Sequence, residues 1–305
     1  MTTFSSCVFR GVVVFCLVFT GISQAQTFAV NSDVQPTVVN SRITTNAHAH
    51  DGTSLSNVRV FSYSFQEDPF DPFYLNDPGF NSFVGSGLPQ GSQLNFKVLS
   101  GLRYWNGSGA VGFGDTPYTE QLRMNRGTTS VIVNNSTTSQ NGFAIANIAS
   151  GGTMHAHLNT FLERTDVAPT NGIYLVAIDV GNTGAGIARS LPTYLVFNNS
   201  ALPASFNRAR AYVTQPLTGD ANFDGAVDTR DFNLLAANFG QTGQNWLGGD
   251  FNEDGVVNSI DFSLFLGGYG QHTVVPLGAV VPEPSAAVLL IPGSCLLRRA
   301  RRINS

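Results

Sequence analysis

Between positions 58 and 197 the apolar residues fall into short runs separated by turn-forming clusters. The runs 58–65, 94–99, 129–133, 143–148, 173–180 and 194–197 are rich in β-branched and aromatic residues, the composition that suits a pleated, half-buried strand. Pro78-Gly79, Asn106-Gly107 and Asn171-Gly172 punctuate them as turns. Helical periodicity is scarce, with 158–164 the one stretch open to a central helix. The pattern predicts a mainly β domain over 26–214, an antiparallel β-sandwich or jelly roll, with 198–214 as its exit. Further on the period changes. Phe232, Leu235, Ala236 and Phe239, and again Phe262, Phe265, Leu266 and Tyr269, recur at i, i+3, i+4, i+7 and predict two short helices facing one small core. Gly240 and Gly270 are their expected stops.

Each end carries one further apolar stretch. Residues 12–19 follow Arg10 and precede Ser23 and Ala25, the layout of a secretory signal peptide over 1–25 cut before Gln26. Residues 286–297 make roughly 18 Å of helix against a hydrocarbon core of ~30 Å, and Pro292 and Gly293 interrupt them. At most a transient membrane association is expected there, with Arg298, Arg299, Arg301 and Arg302 holding the last residues on the cytoplasmic side.

Composition narrows the class. The chain has 305 residues, 42% hydrophobic and 12% charged, which argues against disorder and against a long coiled coil. A net charge of −4 offers no field for nucleic acid. The three cysteines, Cys7, Cys16 and Cys295, all lie in the end segments, so an exported body over 26–281 relies on core burial or bound metal. That span carries 11 bases against 19 acids, and eight of the acids crowd into 217–271 beside Arg230 alone. Acids packed that densely need a partner.

The crowding is a repeat. Residues 219–241 align with 249–271 at an offset of 30, identical at 11 of 23 positions. Asp220, Asn222, Asp224, Asp228 and Asp231 fall at loop positions 1, 3, 5, 9 and 12; Asp250, Asn252, Asp254, Asn258 and Asp261 repeat them. Gly225 and Gly255 stand at position 6, and the carbonyls of Ala226 and Val256 at position 7. This is the spacing of a calcium loop: oxygens converge from alternate residues and the glycine permits the turn. Two calcium ions are expected, the first loop binding more tightly with four carboxylates against three. Val227 and Val257, at position 8, are expected to pair the loops. A module of about 55 residues rarely holds by burial alone, so calcium is expected to be a condition of its folding over 215–272.

Asp at position 12 and the lack of a helix-forming segment before either loop resemble a type I dockerin. That resemblance implies a cohesin-like partner, chosen largely at loop positions 10 and 11, here Thr229-Arg230 and Ser259-Ile260. At the chain end Pro282-Glu283-Pro284, the apolar stretch and the arginine cluster resemble a PEP-CTERM sorting tag over 281–305, preceded by a linker from 273. This implies exosortase as an export partner and residence in the envelope or extracellular polysaccharide matrix of a Gram-negative-type bacterium.

The body's own chemistry rests on histidines. Four of the five form His48-Ala49-His50 and His155-Ala156-His157. Residues i and i+2 of a strand share a face about 6.5–7 Å apart, so each pair can converge on one ion. The two pairs together, or three imidazoles with a carboxylate such as Asp51, suit zinc or copper; histidines hydrogen-bonded in a polar groove are the alternative. Glu67, Glu120 and Glu163 fit no glycosidase signature, and the segment 67–80 reads as a proline-stiffened loop packed by its own phenylalanines, or as a sugar-binding edge. The leading expectation is a non-enzymatic binding or structural protein of the polysaccharide layer. A polysaccharide-active hydrolase, or a metalloenzyme using the histidines, is the second.

Overall fold

The computed structural model describes residues 28–165 and 167–274. The signal peptide and the sorting tag expected at the two ends lie outside the described residues. The body is mainly β, with a small helical module after it, as the residue pattern predicts.

Three sheets build the body. The largest runs Phe28–Val30, Val60–Ser64, Thr193–Asn199, Gly172–Asn182, Gln93–Val98, Gln140–Asn147, with Arg103–Trp105 also paired to Gly172–Asn182. A second runs Thr129–Asn134, Gln121–Arg126, Asn159–Glu163, Tyr74–Leu75. The third runs Met154–His157, Gly79–Ser82, Ser32–Val39, Arg42–Ala49, Ser54–Leu55. Pairing is mostly antiparallel; Val60–Ser64 pairs in parallel with both its neighbours, and Val34 with Phe80. The stretch open to a helix, 158–164, is the strand Asn159–Glu163. Its period is two: Thr160 and Leu162 are buried while their neighbours are half-buried.

One face of the large sheet packs on both smaller sheets. The other face is also covered, and the central strand Gly172–Asn182 is buried along all but its last residue. Tyr174, Val176, Ile178 and Val180 enter the sandwich core. Ile173, Leu175 and Ala177 face the other way, into a second core with Phe206, Ala209, Tyr212, Val213 and Phe223. Double burial explains why this run is continuously apolar, where a half-buried strand would alternate.

The stretch expected as a simple exit holds helix α1, Pro203–Thr214. Proline stands in its first turn, where its missing N–H costs nothing. Phe206, Ala209 and Val213 are buried at helical spacing, and Arg208 and Arg210 lie over Trp105 and Phe28, 5.2 and 4.6 Å from the ring centres. The module then contributes α2, Thr229–Asn238, and α3, Ser259–Gly268, each followed by a glycine at positive φ, Gly240 and Gly270.

The module core differs from expectation. It consists of Ala221, Val227, Leu235, Phe251, Val257 and Phe265. Four of these come from the loops, so two ten-residue helices bury only one side chain each from the predicted stripe. Phe232, Phe239, Leu266 and Tyr269 remain 38–55% exposed. Val227 and Val257 do not pair with each other either. Val227 exchanges hydrogen bonds with Gly270 and Gln271, and Val257 with Gly240 and Gln241, because the chain leaving each helix returns along the opposite loop.

Candidate metal centres

The two loops are closed by the same hydrogen bonds. Asp231 at position 12 accepts from the backbone N–H of Ala221, Asn222 and Asp228. Asp261 accepts from Phe251, Asn252 and Asn258. Position 9 serves as N-cap of the following helix, Asp228 for α2 and Asn258 for α3, with position 12 completing a capping box in each. The residues that ligate in such a loop therefore also start its helix. At position 1 the side chains of Asp220 and Asp250 are fully buried. One oxygen of each accepts from the position-6 glycine N–H, while the other, Oδ1 in both, is buried without a hydrogen-bond partner. A buried, unpaired carboxylate oxygen costs several kcal/mol, and here the same atom is stranded in both copies. Burial pushes Asp220 up to about 7, against the donated Tyr212 hydroxyl, and raises Asp231 and Asp250 as well. The donor set fits calcium: each loop offers only oxygens, from carboxylates, an Asn amide and a backbone carbonyl, with no nitrogen or sulfur ligand.

Loop position 4 ties the module to the body. Phe223 adopts φ 62°, costly for a bulky residue, yet it is 1% exposed. Its ring lies 5.0 Å from that of Tyr194, and its carbonyl accepts from Phe113 N–H at 2.8 Å. The equivalent Glu253, at φ 58°, accepts both oxygens' worth of bonding from Arg59 Nη1 at 2.6 and 2.7 Å. Tyr212 of α1 donates to Asp220 Oδ2, and Trp246 Nε1 donates to the Asp220 carbonyl at 2.8 Å. Gly112 packs so closely that a Cβ there would overlap the Asp224 carbonyl. Arg230 Nη1, 3.1 Å from Asp224 Oδ2, adds a positive charge to the first loop that a count of its carboxylates omits.

The histidines are divided by the third sheet. His155 and His157 project outward from Met154–His157 while Met154 and Ala156 are buried. Their Nε2 atoms lie 3.1 Å apart. Asp33, from Ser32–Val39, joins them: Oδ2 is 3.7 Å from His155 Nδ1, and Oδ1 is 3.9 Å from His157 Nε2. His48 is not in this group. It stands opposite Asp33 on the next strand, three strand spacings or about 14 Å from the strand of His155 and His157, and turns elsewhere, with Nδ1 3.1 Å from Ser54 Oγ and its ring edge-on to Phe83. His50 stands near enough for its charge to lower Asp77, yet outside the cluster. Asp51 is exposed and held in a turn by Thr53 N–H at 2.8 Å; hydrogen bonding by the Thr53 side chain, and then by its backbone, lowers its pKa. Asp77, whose carboxyl burial pushes up to about 6 against the His157 charge, lies 3.6 Å from His157 Nδ1. Asp33 was not among the residues the sequence singled out; nothing local marks an aspartate 122 positions from its partner.

Glu120 and Glu163 have structural partners. Glu120 is buried and accepts from Thr170 Oγ1 and Tyr118 N–H, and Glu163 accepts from Arg123 and Gln121. In the 67–80 segment Phe80 is in the core but Phe70 is 96% exposed, so that loop is not packed by all its own phenylalanines.

Residues 218–265 match the family model for the dockerin type I domain. Among solved structures, a type II cohesin–dockerin domain from Bacteroides cellolosolvens is 36% identical over 18% of this chain and 88% of that one, with a TM-score of 0.17. The CooA pilin subunit of enterotoxigenic Escherichia coli is 13% identical over 50% of this chain and 95% of that one, with a TM-score of 0.24. No curated protein matches. The dockerin module is the calcium-binding part of the chain. Its loop positions 10 and 11, Thr229, Arg230, Ser259 and Ile260, are exposed, because position 4 rather than the start of each helix meets the body. Among the described residues no helix is long and apolar enough to cross a membrane.

Proposed function

We propose that the chain is an exported bacterial cell-surface or matrix protein. Its dockerin module binds two calcium ions and docks on a cohesin-like partner, and its β body serves a binding or structural role in extracellular polysaccharide. The segment divisions 1–25, 26–214, 215–272 and 273–305 belong to this reading, as do signal-peptide export and the exosortase-read tag. The calcium ligands are Asp220, Asn222, Asp224, Asp228 and Asp231, Asp250, Asn252, Asp254, Asn258 and Asp261, with the carbonyls of Ala226 and Val256. The observation that supports it best is the stranded Oδ1 of Asp220 and Asp250, at the same position of both loops. Docking is supported by an apolar surface left uncovered beside exposed recognition positions: Phe232, Ile260, Leu266 and Tyr269 are 38–55% exposed. A transition ion at the histidines of the body is a separate element of the reading, independent of the calcium loops.

Calcium titration of the mature chain by calorimetry tests it, with cohesin capture as a second readout. Two calcium ions are expected for the native chain, one for Asp220→Ala and one for Asp250→Ala, with capture by immobilised type I or type II cohesins abolished by EGTA. Two ions retained in both variants would refute the calcium assignment; calcium-independent capture would refute the docking.

A further inference from the structure

We infer that Asp33, His155 and His157 form a three-ligand site for a divalent transition ion of the zinc class, with one coordination position open to solvent. This deepens the metal element of the proposed reading and does not depend on the calcium loops.

The site is built by one missing side chain. His157 stands opposite Gly79 in the antiparallel ladder, and Phe80 next to it is in register with Val34 of the following strand. Phe80, Val34 and Ala156 turn inward and are buried. On the outer face the neighbour between Asp33 and His157 is thus a glycine. A Cβ on Gly79 would overlap the Asp33 carboxylate and sit 2.8 Å from His157 Cε1. Glycine lets the carboxylate cross a whole strand and reach the imidazoles.

Asp33 is 2% exposed, and its Oδ1 is buried without a hydrogen-bond partner on the side facing His157 Nε2. An ionised carboxylate in that state calls for a cation. The histidines are arranged to supply the other ligands. His157 Nδ1 is 2.7 Å from the Asn76 carbonyl, which can only accept, so Nδ1 carries the proton and Nε2 presents its lone pair. His155 turns Nε2 to that lone pair at 3.1 Å and Nδ1 to Asp33 Oδ2 at 3.7 Å; as a ligand it uses one of the two, and Nε2 is the nearer to His157. Two nitrogens bound at 2.0–2.1 Å in a tetrahedral site lie about 3.4 Å apart, so the pair needs a shift of only a few tenths of an ångström. Two imidazoles and one carboxylate suit zinc and its neighbours in the Irving–Williams order better than calcium or magnesium.

Three ligands leave a fourth position. His155 is more than half exposed and lines a cleft of about 740 Å³ with Asn81, Gln93, Arg126 and Asn147. A water or small anion on the ion would face this cleft.

Zinc and calcium are measured together, by elemental analysis and competitive titration, on the mature chain. One zinc per chain is expected beside the calcium, and cobalt substitution should give the intense visible bands of a four-coordinate ion. His157→Ala and Asp33→Asn should each weaken zinc more than about 100-fold, beyond the ~10–100-fold that loss of an outer-shell partner brings. Gly79→Ala should do the same by displacing the carboxylate, and His48→Ala should leave zinc unchanged. Near-UV dichroism and the calcium content identify any variant that fails to fold. Absence of zinc from a chain with normal calcium would overturn this site and leave the calcium reading standing; so would zinc that persists in a folded Asp33→Asn/His157→Ala chain, or that His48→Ala also removes.

Discussion

At the scale of the residue, single side chains here hold two roles at once. Asp231 and Asp261 each close a twelve-residue loop and complete the capping box of the helix that follows. Asp220 shares its carboxylate between an orphaned oxygen and one that accepts from Tyr212 and from Gly225 N–H. Tyr212 thereby couples the first calcium loop to α1, and through α1 to the sandwich. Tyr212→Phe keeps the ring packed and removes only the hydroxyl. A hydrogen bond to a charged group contributes about 1.5–3 kcal/mol, so urea denaturation should show a loss of that order. Calcium affinity should fall at the first loop and hold at the second. An unchanged first-loop affinity would separate Tyr212 from the ion.

Among the elements, the loops are the ones that settle how the module sits. Position 4 is left-handed in both, and neither residue there is glycine. Phe223 fills the second core, while Glu253 pairs with Arg59 at the surface of the body. The two anchors are unequal. Phe223→Ala empties a buried aromatic site and should cost about 3–5 kcal/mol, whereas Glu253→Gln, at a pair about a quarter exposed, keeps an acceptor and should cost at most about 1.5–3 kcal/mol. Thermal melts of the two variants in saturating calcium provide the comparison; equal losses would mean that the wedge of Phe223 is not what holds the first loop. The helices themselves are secondary, since their predicted stripe stays mostly in solvent.

For the whole molecule, the second core makes calcium binding a property of the entire chain. The large sheet is covered on one side by the sandwich core and on the other by α1 and the first loop. Stripping calcium should therefore loosen one face of that sheet and spare the other. Hydrogen exchange in EGTA should rise sharply in α1, α2 and α3, while amides of Gln121–Arg126 and Asn159–Glu163, on the far side, stay protected. In calcium at 1,000 times the dissociation constant, each site should add about 4 kcal/mol to the stability of this face. Uniform exchange across both faces would mean that the chain unfolds as one unit.

Much of this was readable from the chain alone. A loop of this spacing confines the proposed calcium ligands to twelve consecutive residues, and its glycine and its helix start are dictated within the same window, so the closed loops over 220–231 and 250–261 are legible without a fold. The strands within 58–65, 94–99, 129–133, 143–148, 173–180 and 194–197 were legible too, because β-branched runs between turns are local; Gln121–Arg126 lies outside those runs, and Asn159–Glu163 in the stretch open to a helix. Three features were decided only by tertiary structure: the partner of His157, the helix hidden in the exit segment, and the face each apolar stripe turns inward. Asp33 meets His157 only because two strands flank Gly79, and nothing in either local sequence records that neighbour. Burial of a stripe likewise depends on what covers it, and here loop residues occupy most of the core the stripes would have filled.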